Sequence, residues 1–216
     1  LNTRDRNRLA LQSDLLAAAT FGVENILISS GYDVLLGDHR DASQVHDLDT
    51  VSLVKAARDL NDGRDFAGHG LDGSADFCIG VLAEIGPRPD TKQTEKLKRA
   101  VEAGADFIVT PAMYDTAVLE AFLDSIHQFR LPVIAGHVML KSASSASFLN
   151  SNAPDISIPE ETIRKLEGLS REELLAASQQ ITIEFMQKVK SLCQGIYLVP
   201  MGWERFIPAI AETVAG

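Results

Sequence analysis

The stretch Val101-Glu102-Ala103-Gly104-Ala105-Asp106-Phe107-Ile108-Val109-Thr110 decides the fold. Upstream of it, the residues from about Thr91 to Ala103 space their apolar positions as a helix does. Gly104 stands where a helix ends in a left-handed residue, and Phe107 to Thr110 is an apolar run of strand length. A second helix is predicted from about Thr116 to Gln128. Helix, short glycine joint, apolar strand and helix again make up the unit of a parallel sheet covered by helices.

Outward from there the joint recurs, as Phe21-Gly22-Val23-Glu24-Asn25 and as Cys193-Gln194-Gly195. A first helix capped by Asp5 carries Leu11, Leu15 and Ala18 on one stripe and ends at Gly22. The pattern continues with strand Asn25 to Ser30, a helix from about Asp49 to Leu60, strand Phe77 to Leu82 and strand Pro132 to Ala135. Helices follow near Ser142 to Leu149, Pro159 to Leu166 and Ser170 to Leu192, then strand Gly195 to Val199 and a helix from about Glu204 to Val214. Leu15, Leu97, Phe122 and Leu123 are assigned to the core. Two long polar loops, Gly31 to His46 and the one ending at Gly73, are of the length that carries function in compact chains.

Five strands cannot close a barrel that needs eight strands and typically ~250 residues. The fold class is therefore read as α/β, a (β/α)8 TIM barrel that is incomplete in this chain, holding about units 4 to 8. Residues 1–216 form a single domain in this reading, the C-terminal portion of such a barrel. The chain starts without methionine and enters a helix almost at once, as though just after a strand. Roughly three βα units are expected to be missing at the N-terminus, through truncation, a separate polypeptide or lack of order. An open doubly wound sheet is the competing architecture, but no Gly-x-Gly-x-x-Gly follows a first strand.

Twenty basic side chains against 30 acidic ones among 216 residues leave a formal charge of −10, which argues against a nucleic-acid partner. Apolar residues at 45% and charged residues at 23% suit a chain with a sizeable core. No apolar run approaches the roughly 18 residues of a membrane span, and residues 1–6 have no secretory h-region, so a cytoplasmic location is expected and no membrane partner. Cys78 and Cys193 each lie beside an apolar run and are read as buried thiols rather than a disulfide or a zinc site. No metal site is expected: the His and Asp residues of 37–41 and 46–49 read as loop, with Asp47 or Asp49 capping the next helix.

Several pieces, in order, carry a family likeness. They are Thr3-Arg4-Asp5-Arg6-Asn7-Arg8, Asn25-Ile26-Leu27, Leu36-Gly37-Asp38-His39, Asp47-Leu48-Asp49-Thr50-Val51, and Leu60 to Gly68. Val101 to Thr110, Tyr114-Asp115, Pro132 to Gly136, Leu140-Lys141-Ser142, Ser157-Ile158-Pro159 and Pro200-Met201-Gly202-Trp203-Glu204 continue it. Together they resemble the methylenetetrahydrofolate reductases over nearly the whole chain. The resemblance implies FAD at the C-terminal ends of the strands, taking a hydride from NADH or NADPH and reducing 5,10-methylenetetrahydrofolate to 5-methyltetrahydrofolate in one-carbon metabolism. It also suggests a homo-oligomer, while the strand count leaves a partner chain that completes the barrel as a further expectation.

The resemblance assigns site residues one by one. The family's Gly-Asp pair, whose carboxylate lies near flavin and folate, reads Gly31-Tyr32 here, with Ser30 before it and Asp33 one residue later as the catalytic candidate. Asp38 and His39 join Ser30, Gly31 and Tyr32 as cofactor candidates on the long loop. The motif Leu-Lys-Arg-Lys, whose last lysine approaches a flavin phosphate, reads Leu97-Lys98-Arg99-Ala100, leaving Lys98 and Arg99 to compensate. The Thr-Gln pair that reads the pterin is Thr110-Pro111, and proline has neither an amide N–H nor a side-chain hydrogen-bonding group. Thr110, Tyr114, His137 and Trp203 are the substrate candidates. His137 has the alternative of a satisfied buried histidine, and Asp115 that of an N-cap. Lys141-Ser142 opens a helix whose start could take a phosphate or the folate glutamate tail, with a solvated helix start as the alternative, and Trp203 has the alternative of stapling the last helix to its neighbour. The proton-donating glutamate belongs to the first strand, outside this chain. The alternative function is a non-reducing folate-binding or methyl-transfer partner subunit, motivated by Tyr32, Pro111 and Ala100.

Overall fold

In a computed structural model, residues 1–86, 91–153 and 155–215 are described. The described residues form eight α-helices and five strands, beginning α1 (Arg8–Thr20), β1 (Asn25–Ile28), α2 (Thr50–Asn61), β2 (Cys78–Leu82), α3 (Thr91–Glu102), β3 (Phe107–Ala112) and α4 (Thr116–Ile126). Then come β4 (Val133–Val138), α5 (Ala143–Asn152), α6 (Glu160–Arg164), α7 (Arg171–Val189), β5 (Gly195–Val199) and α8 (Ile207–Ala215). The strands lie in one sheet in chain order, with β1–β2 and β4–β5 parallel. Sequential parallel strands joined by helices are the architecture expected of an incomplete TIM-type barrel. Among the described residues no helix is long and apolar enough to cross a membrane.

The chain forms two compact units: Leu1–Ala83 with Thr91–Ile108, and the described residues of Glu84–Asp90 with Val109–Gly216. In the first unit, the register Ile26↔Ile79 and Ile28↔Val81 sets four β-branched side chains side by side on one face, all buried. α2 covers that face with Leu53, Val54, Ala57 and Leu60, spaced at one helical stripe and fully buried. Each such leucine contributes roughly 1.5–3 kcal/mol by leaving water. Asp49 caps α2 by accepting from the Ser52 amide, one of the two alternatives its sequence left open, while Asp47 instead holds Arg8.

The cap of α1 departs from expectation. Asn7 accepts from the Ala10 amide, whereas Asp5 is drawn to the guanidinium of Arg4, so the helix starts later. Gly22 and Gly104 hold φ of +75° and +114° at the ends of α1 and α3, which is what the recurring glycine joint requires. Ahead of α1, residues 1–3 run beside β1 in parallel, the Thr3 amide donating to Ser29 O and the Ser29 amide to Leu1 O. Cys78 corrects the sequence reading: as the first residue of β2 it is exposed, and only Cys193 is buried.

The second unit is built on β4 and β5 with α7 laid across β4, α4 and α8. Ser178, Thr182, Phe185 and Val189 form the buried stripe of α7. Two predicted strands are short of the real ones. β3 runs on through Pro111 to Ala112, and β4 to Val138, because the residues after the apolar runs are as buried as the runs themselves. The segments between β4 and β5 pack with the end of β3 into a small core of Ala112, Leu140, Ala146, Ala153, Ile156, Ile158 and Leu166. Asn150 pins the link between α5 and α6, donating to Ile158 O and accepting from its amide.

Candidate functional site

In the first unit the candidate residues gather on the loop after β1. Gly31 sits at φ +80°, with the place of a Cβ only 3.1 Å from Arg4 Cβ, so glycine is required where the loop leaves the strand. Arg4 donates to the carbonyl of Tyr32 and pairs with Asp5. Asp33 is spent locally: its Oδ1 accepts from the Leu35 amide at 2.9 Å and from Gln44 Nε2 at 3.0 Å, capping a 3-10 turn at Val34–Leu36. Asp38 and His39 are exposed further along the loop. Its far end is tied by Arg8, whose guanidinium and amide hold Asp47 at 2.8–3.0 Å and bring that carboxyl down to about 2.

On α3, Lys98 and Arg99 face solvent, and Lys98 lies between Glu95 at 3.8 Å and Glu102 at 4.0 Å. Ala100 lies on the opposite face beside Leu97 and is 1% exposed, within the packing of α2 on α3. The position that the family likeness gives to a phosphate-seeking lysine therefore faces core in this chain. Arg4 is the residue that sequence reasoning left out here. Its signal is the basic residue just after the backbone that pairs with β1.

In the second unit, Thr110 Oγ1 accepts from the Gly136 amide at 2.9 Å and donates to Pro111 O at 2.8 Å. Gly136 is pressed so near that a Cβ would lie 2.6 Å from Thr110 O and 2.7 Å from Pro111 O. Pro111 thus sits in a tight, buried crossing and offers no hydrogen-bonding side chain. Beyond β3, a cavity of about 10 Å³ is bordered by Ala112, Tyr114, Asp115, Asp155 and Ser157. That is room for about one water. Asp115 is the N-cap of α4, accepting from the Ala117 amide.

Tyr114 and His137 are both engaged within the protein. Tyr114 donates to Val138 O at 2.7 Å, and burial raises its pKa. His137 is 1% exposed, stacked on Phe185 at 4.7 Å and tilted against Tyr114 at 4.8 Å. Its side chain points to the helix layer and not out from the strand end, because β4 alternates and α7 brings Phe185 to that face. The ring bonds Met113 O through Nδ1 at 2.9 Å, so Nε2 carries the lone pair and has no partner among the described residues. Burial lowers its pKa to about 4, outweighing the bond to Met113.

The exposed chemistry of this unit lies just after β4 and β5. Lys141 Nζ stands 5.7 Å from the ring centroid of Trp203, which is half-buried. Met201 and Gly202 hold φ of +54° and +89°, a turn that leaves the place of a Gly202 Cβ 3.3 Å from Lys141 Nζ. Glu204 closes the turn by accepting from the Gly202 amide at 3.0 Å. The start of α5 is occupied by its own capping box between Ser142 and Ser145. Among the described residues no cluster of three His, Cys, Asp or Glu side chains could hold a metal ion.

Against known proteins, the sequence matches no curated protein significantly. Among solved structures it resembles an uncharacterized protein from Clostridium thermocellum that binds two copies of 5-methyl-5,6,7,8-tetrahydrofolic acid. The identity is 16%, the TM-score 0.62, and the match covers 100% of this chain and 70% of that one. A 3-hexulose-6-phosphate synthase matches at 13% identity and TM-score 0.38 over 97% and 94% of the two chains, too loosely to carry an argument. The family model for methylenetetrahydrofolate reductase matches residues 1–215, and this chain belongs to that family.

Proposed function

We propose that this chain binds a reduced folate, a tetrahydrofolate carrying its one-carbon unit at the methylene or methyl level, with Trp203 and Lys141 engaging the benzoylglutamate end. The observation that carries the reading is the pairing of an aromatic plate with a cation just past β4 and β5, where parallel β/α folds place ligands. An aminobenzoate ring suits the face of Trp203, and a glutamate carboxylate suits the Lys141 ammonium. Family membership and the tetrahydrofolate bound by the Clostridium thermocellum structure support the same ligand class. Thr110, Tyr114 and His137, the remaining substrate candidates, serve by shaping the strand ends, since their hydroxyls and the His137 Nδ1 are engaged with the backbone.

Trp203 is the only tryptophan of the chain and reports directly on this site. Titration with 5-methyltetrahydrofolate is expected to quench its emission saturably. Unchanged emission together with no heat of binding in calorimetry would sink the reading. The second reading, favoured by the family as a whole, is reduction of 5,10-methylenetetrahydrofolate with NADH or NADPH through FAD, by way of Asp33 and the loop after β1. A nicotinamide-oxidation assay with that substrate separates the two.

A further inference from the structure

We infer that the first unit does not take up the flavin dinucleotide of its family, so that the chain handles folate without flavin; the second half of this statement rests on the folate reading above. Three features of the unit disagree with such a ligand. The loop from Gly31 to Asp49 carries Asp33, Asp38, Asp41, Asp47 and Asp49 against Arg40 alone. Arg8 pairs with Asp47, Arg4 acts on Asp33, and Arg99 and Lys96 act on Asp49, so Asp38 and Asp41, with Arg40 between them, are the acids left to meet an incoming anion. A pyrophosphate brought to this loop meets like charge, and like charge brought together in a partly desolvated site is repulsive by an amount that salt only partly screens.

The second feature is the commitment of Asp33. Displaced by one residue from the family's position, its carboxylate holds the Leu35 amide and Gln44 and so builds the loop rather than facing a ring system. The third is α3. Position 100, from which a lysine would approach a phosphate, holds an alanine that is 1% exposed and packed toward α2. Of the basic groups on that helix, Lys98 is flanked by Glu95 and Glu102, while Arg99 and Lys96 act on the Asp49 carboxylate. The side chains at the family's cofactor positions are therefore engaged within the protein or buried. A folate bound by this chain would already be at its final oxidation level.

Equilibrium dialysis of the full chain against excess FAD, read by visible absorption, tests the inference, with 5-methyltetrahydrofolate titrated in parallel and cooperative thermal unfolding confirming that the protein is folded. The expected result is no retained flavin together with saturable quenching of Trp203 by the folate. Stoichiometric flavin overturns the inference whatever the folate does. Neither ligand bound to the folded protein overturns the folate reading and leaves the exclusion of flavin standing. The double variant Asp38→Asn/Asp41→Asn isolates the charge argument. It is expected to gain measurable FAD binding at low salt, and continued exclusion there would remove loop charge as a cause.

Discussion

Thr110 takes the amide of Gly136 on its hydroxyl oxygen, a side chain doing what a strand carbonyl does elsewhere in a sheet. The reason lies in the next residue. Pro111 cannot donate to a ladder, and the backbone around it crosses Gly136 so closely that no Cβ fits there. The loss of the family's glutamine at position 111 is thus built into the local backbone.

That crossing can be tested by substitution. Thr110→Val keeps the shape and leaves the buried Gly136 amide without an acceptor, for an expected loss of about 1–3 kcal/mol, while Thr110→Ser retains the bond and most of the stability. Gly136→Ala forces the backbone apart, at a cost of about 1–3 kcal/mol or more. Urea midpoints of the three variants rank them, and a Thr110→Val protein as stable as wild type would contradict the assignment.

Arg58 reaches from α2 to hold both carboxylate oxygens of Asp106 at 2.7 Å and the Gly104 carbonyl at 2.5 Å, while Asp106 also accepts from the Ile79 amide. Arg58→Met is expected to cost about 2 kcal/mol, since hydrogen bonds to charged groups are worth more than neutral ones even at a site about one-third exposed. Gly104→Ala is expected to be worse than an ordinary helix-end substitution, because φ is +114° and the new Cβ would lie 2.7 Å from Arg58 Nε. Chemical denaturation of both variants decides the matter.

His137 makes stability depend on pH. Its folded pKa, about 4, is below the ordinary value of 6.5, so the proton binds the unfolded chain more readily. The stability this provides is complete above about pH 6.5 and is lost as pH falls toward 4, a total of about 3 kcal/mol. His137→Phe removes the titration and relieves the unpartnered Nε2, at the expense of the bond to Met113. Denaturation curves from pH 7 to pH 4 should therefore fall less steeply for the variant, and parallel curves would refute the burial argument.

Asp33 offers a way to tell a loop-building carboxylate from a catalytic one. Asp33→Asn preserves an oxygen for Leu35 and Gln44, so the loop should stay ordered; Asp33→Ala removes the cap, worth about 1 kcal/mol, and frees residues 34–44. Limited proteolysis is expected to cleave the alanine variant within this loop faster than either wild type or the asparagine variant. Equal cleavage of all three would mean that the cap does not order the loop.

Lys141 and Trp203 carry the ligand prediction. Lys141→Met should weaken 5-methyltetrahydrofolate by about tenfold, equivalent to ~1.4 kcal/mol, with Lys141→Arg retaining most of the affinity. Isothermal titration supplies the constants. A Lys141→Met protein with wild-type affinity would take the cation out of the site.

Periodicity and punctuation alone determined much of this molecule. The glycine joints at Gly22 and Gly104, the stripe of α2, the run from Gly195 to Val199 and the cap at Asp115 are local facts, set by backbone sterics and by which face of an element is apolar. Family likeness added the positions where this chain departs, Tyr32, Ala100 and Pro111. What tertiary packing decided is where those side chains face. Ala100 turned out to lie on a buried helix face, Asp33 to cap its own loop, and His137 to fit between Tyr114 and Phe185, whereas Cys78, placed in the core by its neighbours, is exposed. None of this is carried by a residue's immediate neighbours. Phe185 is far from His137 in the chain, and only the laying of α7 on β4 takes water from the imidazole and leaves Nε2 without a partner among the described residues.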